Sequence, residues 1–67
     1  MPIANISILE GRTDDQKRLL IAKVTDAIAE ALNAPKPNIR VLIQEVPKTQ
    51  WGIEGQTVAD REAAAKK

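Results

Sequence analysis

The sequence lacks four of the residue types that most often carry cross-links or catalysis. Its 67 residues include no cysteine, histidine, tyrosine or phenylalanine, and Trp51 is the single aromatic residue. A disulfide is therefore excluded, and a structural zinc ion would lack its usual ligands. A thiolate nucleophile, an imidazole base and a Ser-His-Asp triad are excluded as well. An enzyme built from this chain must use carboxylates, lysines, arginines, hydroxyl groups or its own amino terminus, and we expect neither a metal nor a cofactor.

An excess of one charge and a long apolar run are also missing. The net charge of +1 comes from scattered residues of both signs, without the basic stripe typical of nucleic-acid binding. No apolar run approaches the roughly 20 residues of a membrane span, and no signal peptide precedes Pro2. We expect a cytoplasmic protein that binds neither nucleic acid nor membrane.

The short length predicts an assembly. A chain of this size forms one domain, here 1–67, and buries only about 60% of its unfolded surface. Yet 43% of its residues are apolar, which is too many for a disordered chain. Because disulfides and metals are missing, oligomerisation is the remaining source of stability. We therefore predict an obligate oligomer.

The first half of the chain has the pattern of a strand followed by a helix. Residues 3–9 alternate, with Ala4, Ile6 and Ile8 on one face, and Pro2 suits the first position of a strand because it has no N–H. Thr13 and Gln16 predict a capping box at the start of a helix that ends near Leu32 or Asn33. Helical spacing places one apolar stripe on this helix, formed by Leu20, Val24, Ala27, Ile28 and Ala31 and widened by Ile21 and Leu32.

The second half predicts a parallel strand and a small hairpin. Residues 39–46 are rich in β-branched residues and predict a second strand, which Pro47 ends. A strand, a helix and a strand in this order predict an α/β fold with a β-α-β unit, parallel strands and a right-handed crossover. One helix covers one face of this sheet, so the other face must meet another subunit. Residues 49–56 contain two glycines and suit a short β-hairpin packed on a neighbour. Residues 58–67 are either a terminal helix capped at Thr57 or a loosely ordered tail.

Pro2 has two interpretations. It either begins a strand and does nothing more, or, once Met1 is removed, it supplies a terminal secondary amine as a catalytic base. Arg12 and Arg40 likewise are either solvated surface residues or carboxylate ligands, since arginine binds carboxylates in a bidentate manner. In a parallel sheet they lie at opposite ends of the crossover, so they need not meet within one chain, but in a symmetric oligomer they could converge from different chains.

Several segments together resemble the 4-oxalocrotonate tautomerase family of the tautomerase superfamily. The resemblance runs from Pro2 to about Gly55 without a gap, and it is carried by Pro2-Ile3-Ala4, Ile8-Leu9-Glu10-Gly11-Arg12-Thr13-Asp14-Asp15-Gln16-Lys17, Ala34-Pro35, Ile39-Arg40-Val41 and Trp51-Gly52-Ile53. It implies a β-α-β fold with a terminal hairpin, a homohexamer arranged as a trimer of dimers, and keto–enol isomerisation of a 2-hydroxymuconate-like dicarboxylate in aromatic hydrocarbon catabolism. It also implies that Pro2 moves the proton, that Arg12 and Arg40 bind the dicarboxylate, and that Trp51 forms one wall of the pocket.

Two departures and two alternatives accompany this resemblance. Trp51 stands where the family more often has phenylalanine, and Glu54 stands where a small residue is usual. Relatives that hydrate or dehalogenate unsaturated acids use the same proline together with a carboxylate, and the matching position here is Ile53, which cannot activate water. A non-catalytic oligomeric binding module is the other alternative, and it applies if Met1 is retained, because the Pro2 nitrogen is then an amide.

Overall fold

Two parallel strands and the helix between them form the main body of the chain, in a computed structural model that describes residues 1–65. β1 spans Ile3–Leu9, α1 spans Asp14–Leu32 and β2 spans Arg40–Val46. Ile3 pairs with Arg40 and Leu9 with Val46, so the two strands are parallel over their whole length. The predicted β-α-β unit is confirmed, with β2 beginning one residue later than expected.

The ends of α1 follow from local chemistry. The Gln16 N–H donates to the Thr13 hydroxyl at 3.1 Å, and the Thr13 N–H donates to the Gln16 side-chain oxygen at 3.0 Å, which completes the predicted capping box. Asp14 and Asp15 lie in the first turn, where they complement the positive end of the helix dipole. The helix ends where Asn33 takes a left-handed conformation with φ of 52°.

Only the middle of the apolar stripe of α1 lies against the sheet. Leu20, Val24 and Ile28 are half-buried, whereas the other predicted members are exposed, namely Ile21, Ala27, Ala31 and Leu32. Two strands about 4.8 Å apart are narrower than a helix about 10 Å across, which explains why Ile21 and Leu32, at the edge of the stripe, stay exposed. The width of the sheet does not explain the exposure of Ala27 and Ala31, which lie within the stripe. The single chain accordingly buries little: Ile39, just before β2, is the one apolar residue among residues 1–65 that is buried, and it is still 7% exposed.

The face of the sheet opposite α1 is open, and we call it the open sheet face. Ile3 is 59% exposed there and Leu42 is 51% exposed. The chain as a whole exposes 5217 Å², whereas a compact monomer of this mass exposes about 4200 Å². Its radius of gyration is 15.7 Å, against about 11 Å for a compact domain of this length. The excess surface is what the sequence predicts for a chain that is stable only in an assembly.

Residues 48–65, which we call the C-terminal arm, follow β2 and Pro47. A 3₁₀ turn at Lys48–Gln50 leads into an antiparallel hairpin, with β3 at Gly52–Ile53 and β4 at Gln56–Thr57. α2 then spans Val58–Ala65, and the Thr57 hydroxyl accepts a hydrogen bond from the Asp60 N–H at 3.0 Å. The predicted hairpin and the helix capped at Thr57 are confirmed, and residues 66–67 of the predicted tail lie outside the described residues. No helix within residues 1–65 is long and apolar enough to span a membrane.

Candidate active site

Pro2 and Arg40 lie together at one end of the sheet. The Arg40 backbone N–H donates to the Pro2 carbonyl oxygen at 3.0 Å, which extends the β1–β2 ladder by one bond. The Arg40 guanidinium Nη1 donates to the carbonyl oxygens of Pro37, at 2.7 Å, and Ile39, at 3.3 Å. These carbonyls hold the exposed guanidinium beside the start of the sheet. A proline and a fixed cation, far apart in sequence, thus share one edge of the fold.

Arg12 lies at the other end of the same strand. It follows β1, which contains seven residues and is therefore about 20 Å long. Gly11 precedes it with φ of 114°, a conformation that favours glycine and that turns the chain from β1 toward α1. Pro2 and Arg12 of one chain are too far apart to contact the same small molecule, as the parallel arrangement predicts.

Arg12 lines an open groove of about 220 Å³ between β1 and α1, together with Ile8, Gln16, Lys17 and Leu20. Lys17 Nζ is 2.7 Å from Glu45 Oε1 and 3.3 Å from Asp14 Oδ1. The hydrogen bond to Glu45 is the main reason that the pKa of Lys17 is raised. These carboxylates neutralise Lys17, whereas Arg12 has no ion-pair partner among residues 1–65. The groove therefore combines an apolar floor with one uncompensated guanidinium, a combination suited to a carboxylate on an apolar chain.

Trp51 lies near the Arg12 end of the sheet. It follows the 3₁₀ turn, and the Lys48 N–H at the start of that turn donates to Glu10 Oε1 at 3.3 Å, beside the loop that carries Arg12. Trp51 is half-buried, and its carbonyl oxygen accepts a hydrogen bond from the Val58 N–H at 2.9 Å. The predicted site residues thus fall into two groups in one chain: Pro2 and Arg40 at one end, Arg12 and Trp51 at the other.

Two ion pairs near these groups escaped the sequence analysis. Lys17 bonds to Glu45, 28 residues further on, and Lys48 bonds to Glu62, 14 residues further on, at 2.9 Å. Ion pairs within one helix can be predicted from a spacing of three or four residues, but ion pairs between different elements have no such pattern in the sequence. Residues 1–65 contain no cluster of acidic side chains suited to a metal ion.

Comparison with known proteins identifies the family. The model of the tautomerase enzyme family matches residues 2–61. A 2-hydroxymuconate tautomerase from Pseudomonas putida is 56% identical over 55 residues, covering 82% of this chain and 87% of the relative. A probable tautomerase from Listeria monocytogenes is 48% identical over 60 residues, covering 90% of this chain and 98% of the relative.

Solved structures agree with these relatives. A 4-oxalocrotonate tautomerase isozyme from Methylibium petroleiphilum superposes with a TM-score of 0.92 at 40% identity, covering 94% of this chain and 98% of its own. A heterohexameric 4-oxalocrotonate tautomerase from Chloroflexus aurantiacus superposes with a TM-score of 0.86 at 38% identity, covering 90% and 97%. The fold and the enzyme class predicted from the sequence are confirmed, and the chain belongs to the tautomerase family as an isomerase of the 4-oxalocrotonate tautomerase type.

Proposed function

We propose that the protein isomerises a 2-hydroxydienoate dicarboxylate, similar to 2-hydroxymuconate, to its conjugated 2-oxo form, with the amine of Pro2 as the base. The observation that supports this most directly is the 3.0 Å hydrogen bond from the Arg40 N–H to the Pro2 carbonyl oxygen. It brings the start of the chain and a guanidinium to the same edge of the sheet. The names of the most similar relatives point to the same substrate class.

The reaction requires one group that both removes and returns a proton. The amine takes the proton from the 2-hydroxyl group, the electron pair moves through the conjugated chain, and the ammonium returns the proton to a distal carbon. The amine must therefore be neutral in a good fraction of molecules near pH 7. A terminal amine titrates at about 7.7–8 when unperturbed, and a nearby guanidinium favours the neutral form. Proton transfer of this kind contributes about 10² to 10⁴ in rate.

Arg40 binds the carboxylate and the oxo group next to the reacting carbon, and Arg12 binds the distal carboxylate. The guanidinium of Arg40 also attracts the electron density that develops on the oxygen, which is the electrostatic part of the catalysis. Trp51 forms an apolar wall. Arg12 and Trp51 lie at the far end of β1 from Pro2 of their own chain, and β1 is about 20 Å long, so a complete site takes them from a neighbouring chain.

The assembly that we propose is a homohexamer, a trimer of dimers. The open sheet face supports it, since Ile3 and Leu42 are each more than half exposed in the single chain. The Chloroflexus relative is a heterohexamer, and in a hexamer of like chains the two groups of site residues can come together from different chains. The cytoplasmic location remains a prediction.

The state of Met1 provides the decisive test. Intact mass determines whether Pro2 is the terminal residue, and the absorbance of the dienol during ketonisation gives the rate. We expect full activity in the protein from which Met1 has been removed. Pro2→Ala is expected to lower activity without abolishing it. An additional residue before Pro2 is expected to abolish tautomerisation and to leave the circular dichroism spectrum unchanged. Full activity in a protein whose mass includes Met1 would rule out the amine as the base.

The hydratase and dehalogenase alternative requires a carboxylate next to the substrate. Ile53, in β3, provides none, and it is 40% exposed. Assay of the same preparation with a haloacrylate distinguishes the two reactions, and we expect turnover of the dienol only.

A further inference from the structure

The C-terminal arm holds Trp51 mainly through contacts within the arm. On the amino-terminal side of Trp51, Lys48 Nζ binds Glu62 Oε2 of α2 at 2.9 Å. On the carboxyl-terminal side, the Val58 N–H, at the start of α2, donates to the Trp51 carbonyl oxygen at 2.9 Å. The Val58 bond extends the β3–β4 pairing by one step, and the Glu62 side chain provides the contact from α2 to the residues before Trp51.

The main body provides much less support. The Lys48 backbone N–H donates one hydrogen bond of 3.3 Å to the side-chain oxygen of Glu10. The hairpin strands β3 and β4 pair only with each other. The principal packing of α2 is against the 3₁₀ turn and β4, where Val58 and Ala59 are half-buried. Within one chain, the 3₁₀ turn that leads into Trp51 therefore has its main packing partner in α2.

The Glu62 side of the ion pair lies just past the residues that the family model matches. The family model covers residues 2–61, and Glu62 is the next residue. The side chains of Lys48 and Glu62 are 43% and 46% exposed, and an ion pair this exposed contributes little by itself. We therefore regard it as a clamp that adds to the packing of α2 and does not replace it. A helix of eight residues is unstable alone, so the clamp and the helix depend on each other.

We propose that α2, clamped by Lys48 and Glu62, positions the indole of Trp51 and thereby determines how the pocket fits its substrate. The consequence for substrate binding rests on the proposed function, whereas the effect on the indole does not. Glu62 and Lys48 are positioning residues: they act through Trp51 and contact no substrate.

The single aromatic residue makes this directly measurable, because all tryptophan fluorescence comes from Trp51. Ala63→Pro breaks α2 by removing a hydrogen bond and clashing with the preceding turn. We expect its emission to shift to longer wavelength and its quenching by acrylamide to increase. Glu62→Gln, which removes the charge and keeps the shape, is expected to cause a smaller shift and to raise KM for the dienol about two- to fivefold with little change in kcat. The matched control is Arg61→Gln, on the same helix, which is expected to leave emission and KM unchanged.

Exchange of the two charges completes the test. The double variant Lys48→Glu with Glu62→Lys restores an attractive pair, so its emission and KM are expected to return to those of the parent.

Two results would overturn the proposal. One is an Ala63→Pro protein whose helical circular dichroism is reduced but whose emission equals that of the parent. The other is a Glu62→Gln protein whose emission and KM do not differ from those of Arg61→Gln. If Ala63→Pro fails to fold, Glu62→Gln and the exchanged pair decide. An emission shift with unchanged KM would refute the link to substrate binding. If the variants show the emission shifts but the parent turns over no dienol, the proposed function is refuted and the positioning of Trp51 stands.

Discussion

Leu42 offers the sharpest test of the assembly, because it lies in the middle of the open sheet face opposite Asn5. Leu42→Ala removes about three carbon groups, worth roughly 2.4 kcal/mol when fully buried. In the single chain the side chain is 51% exposed, so about half of this, roughly 1.2 kcal/mol, is gained only on contact with a neighbour. A loss of this size lowers the affinity of one subunit contact about eightfold, and over six chains the lost free energy sums to about 7 kcal/mol.

The matched control is Leu19→Ala. Leu19 is 57% exposed, about as much as Leu42, but it lies on α1, where helical spacing places it about 100° from Leu20 and outside the half-buried stripe. Sedimentation velocity over a dilution series measures the concentration at which each protein dissociates. We expect that concentration to rise about eightfold for Leu42→Ala and to remain at the parental value for Leu19→Ala. Equal behaviour of the two variants, or a well-folded parental monomer at micromolar concentration, would refute burial of the open sheet face.

Four further predictions concern individual side chains. Arg40→Ala is expected to lower kcat/KM for the dicarboxylate dienol by about 10- to 100-fold, the loss of a charge-assisted bond. Arg12→Ala is expected mainly to raise KM and to spare a monocarboxylate dienol; an unchanged ratio of the two activities would contradict its role. Glu54 has φ of 51° at the hairpin turn, so Glu54→Asn is expected to raise the free energy of unfolding by up to about 1 kcal/mol in thermal unfolding, whereas Glu54→Val should lower it. Lys17 has a raised pKa because of Glu45, so its contribution to stability is complete below its unfolded pKa and is lost as the pH rises through the higher folded value. Compared with Lys17→Met, the parent is therefore expected to lose its stability advantage only above about pH 10.4.

Local chemistry accounts for the parts of the fold that the sequence predicted correctly. Thr13 and Gln16 determine the start of α1, and Pro47 stops β2, through contacts within a few residues. The parallel arrangement follows from the length of the crossover, and it separates Arg12 from Arg40 as expected. The amine role of Pro2 and the ligand roles of both arginines came from family resemblance, and they remain predictions.

The parts that the sequence did not reveal depend on contacts between distant elements. Ile21 and Leu32 follow the helical pattern of a core stripe, but the sheet of one chain is too narrow to cover them. The bond between Lys48 and Glu62 requires a turn, a hairpin and a helix to fold in one particular way. Periodicity reports which face of an element is apolar, but it does not report which neighbour covers that face.

The separation of Pro2 from Arg12 along β1 has a genetic consequence. If neighbouring chains share the site as proposed, a chain that carries Pro2→Ala still offers an intact Arg12 to its neighbour, and a chain that carries Arg12→Ala still offers an intact Pro2. Two defective alleles expressed in one cell would therefore complement each other, with about one quarter of the sites intact in randomly mixed oligomers of equal amounts. An allele that produces only Arg12→Ala chains would conversely impair sites built around normal prolines. The phenotype of such a cell would then depend on the ratio in which the two kinds of chain are made.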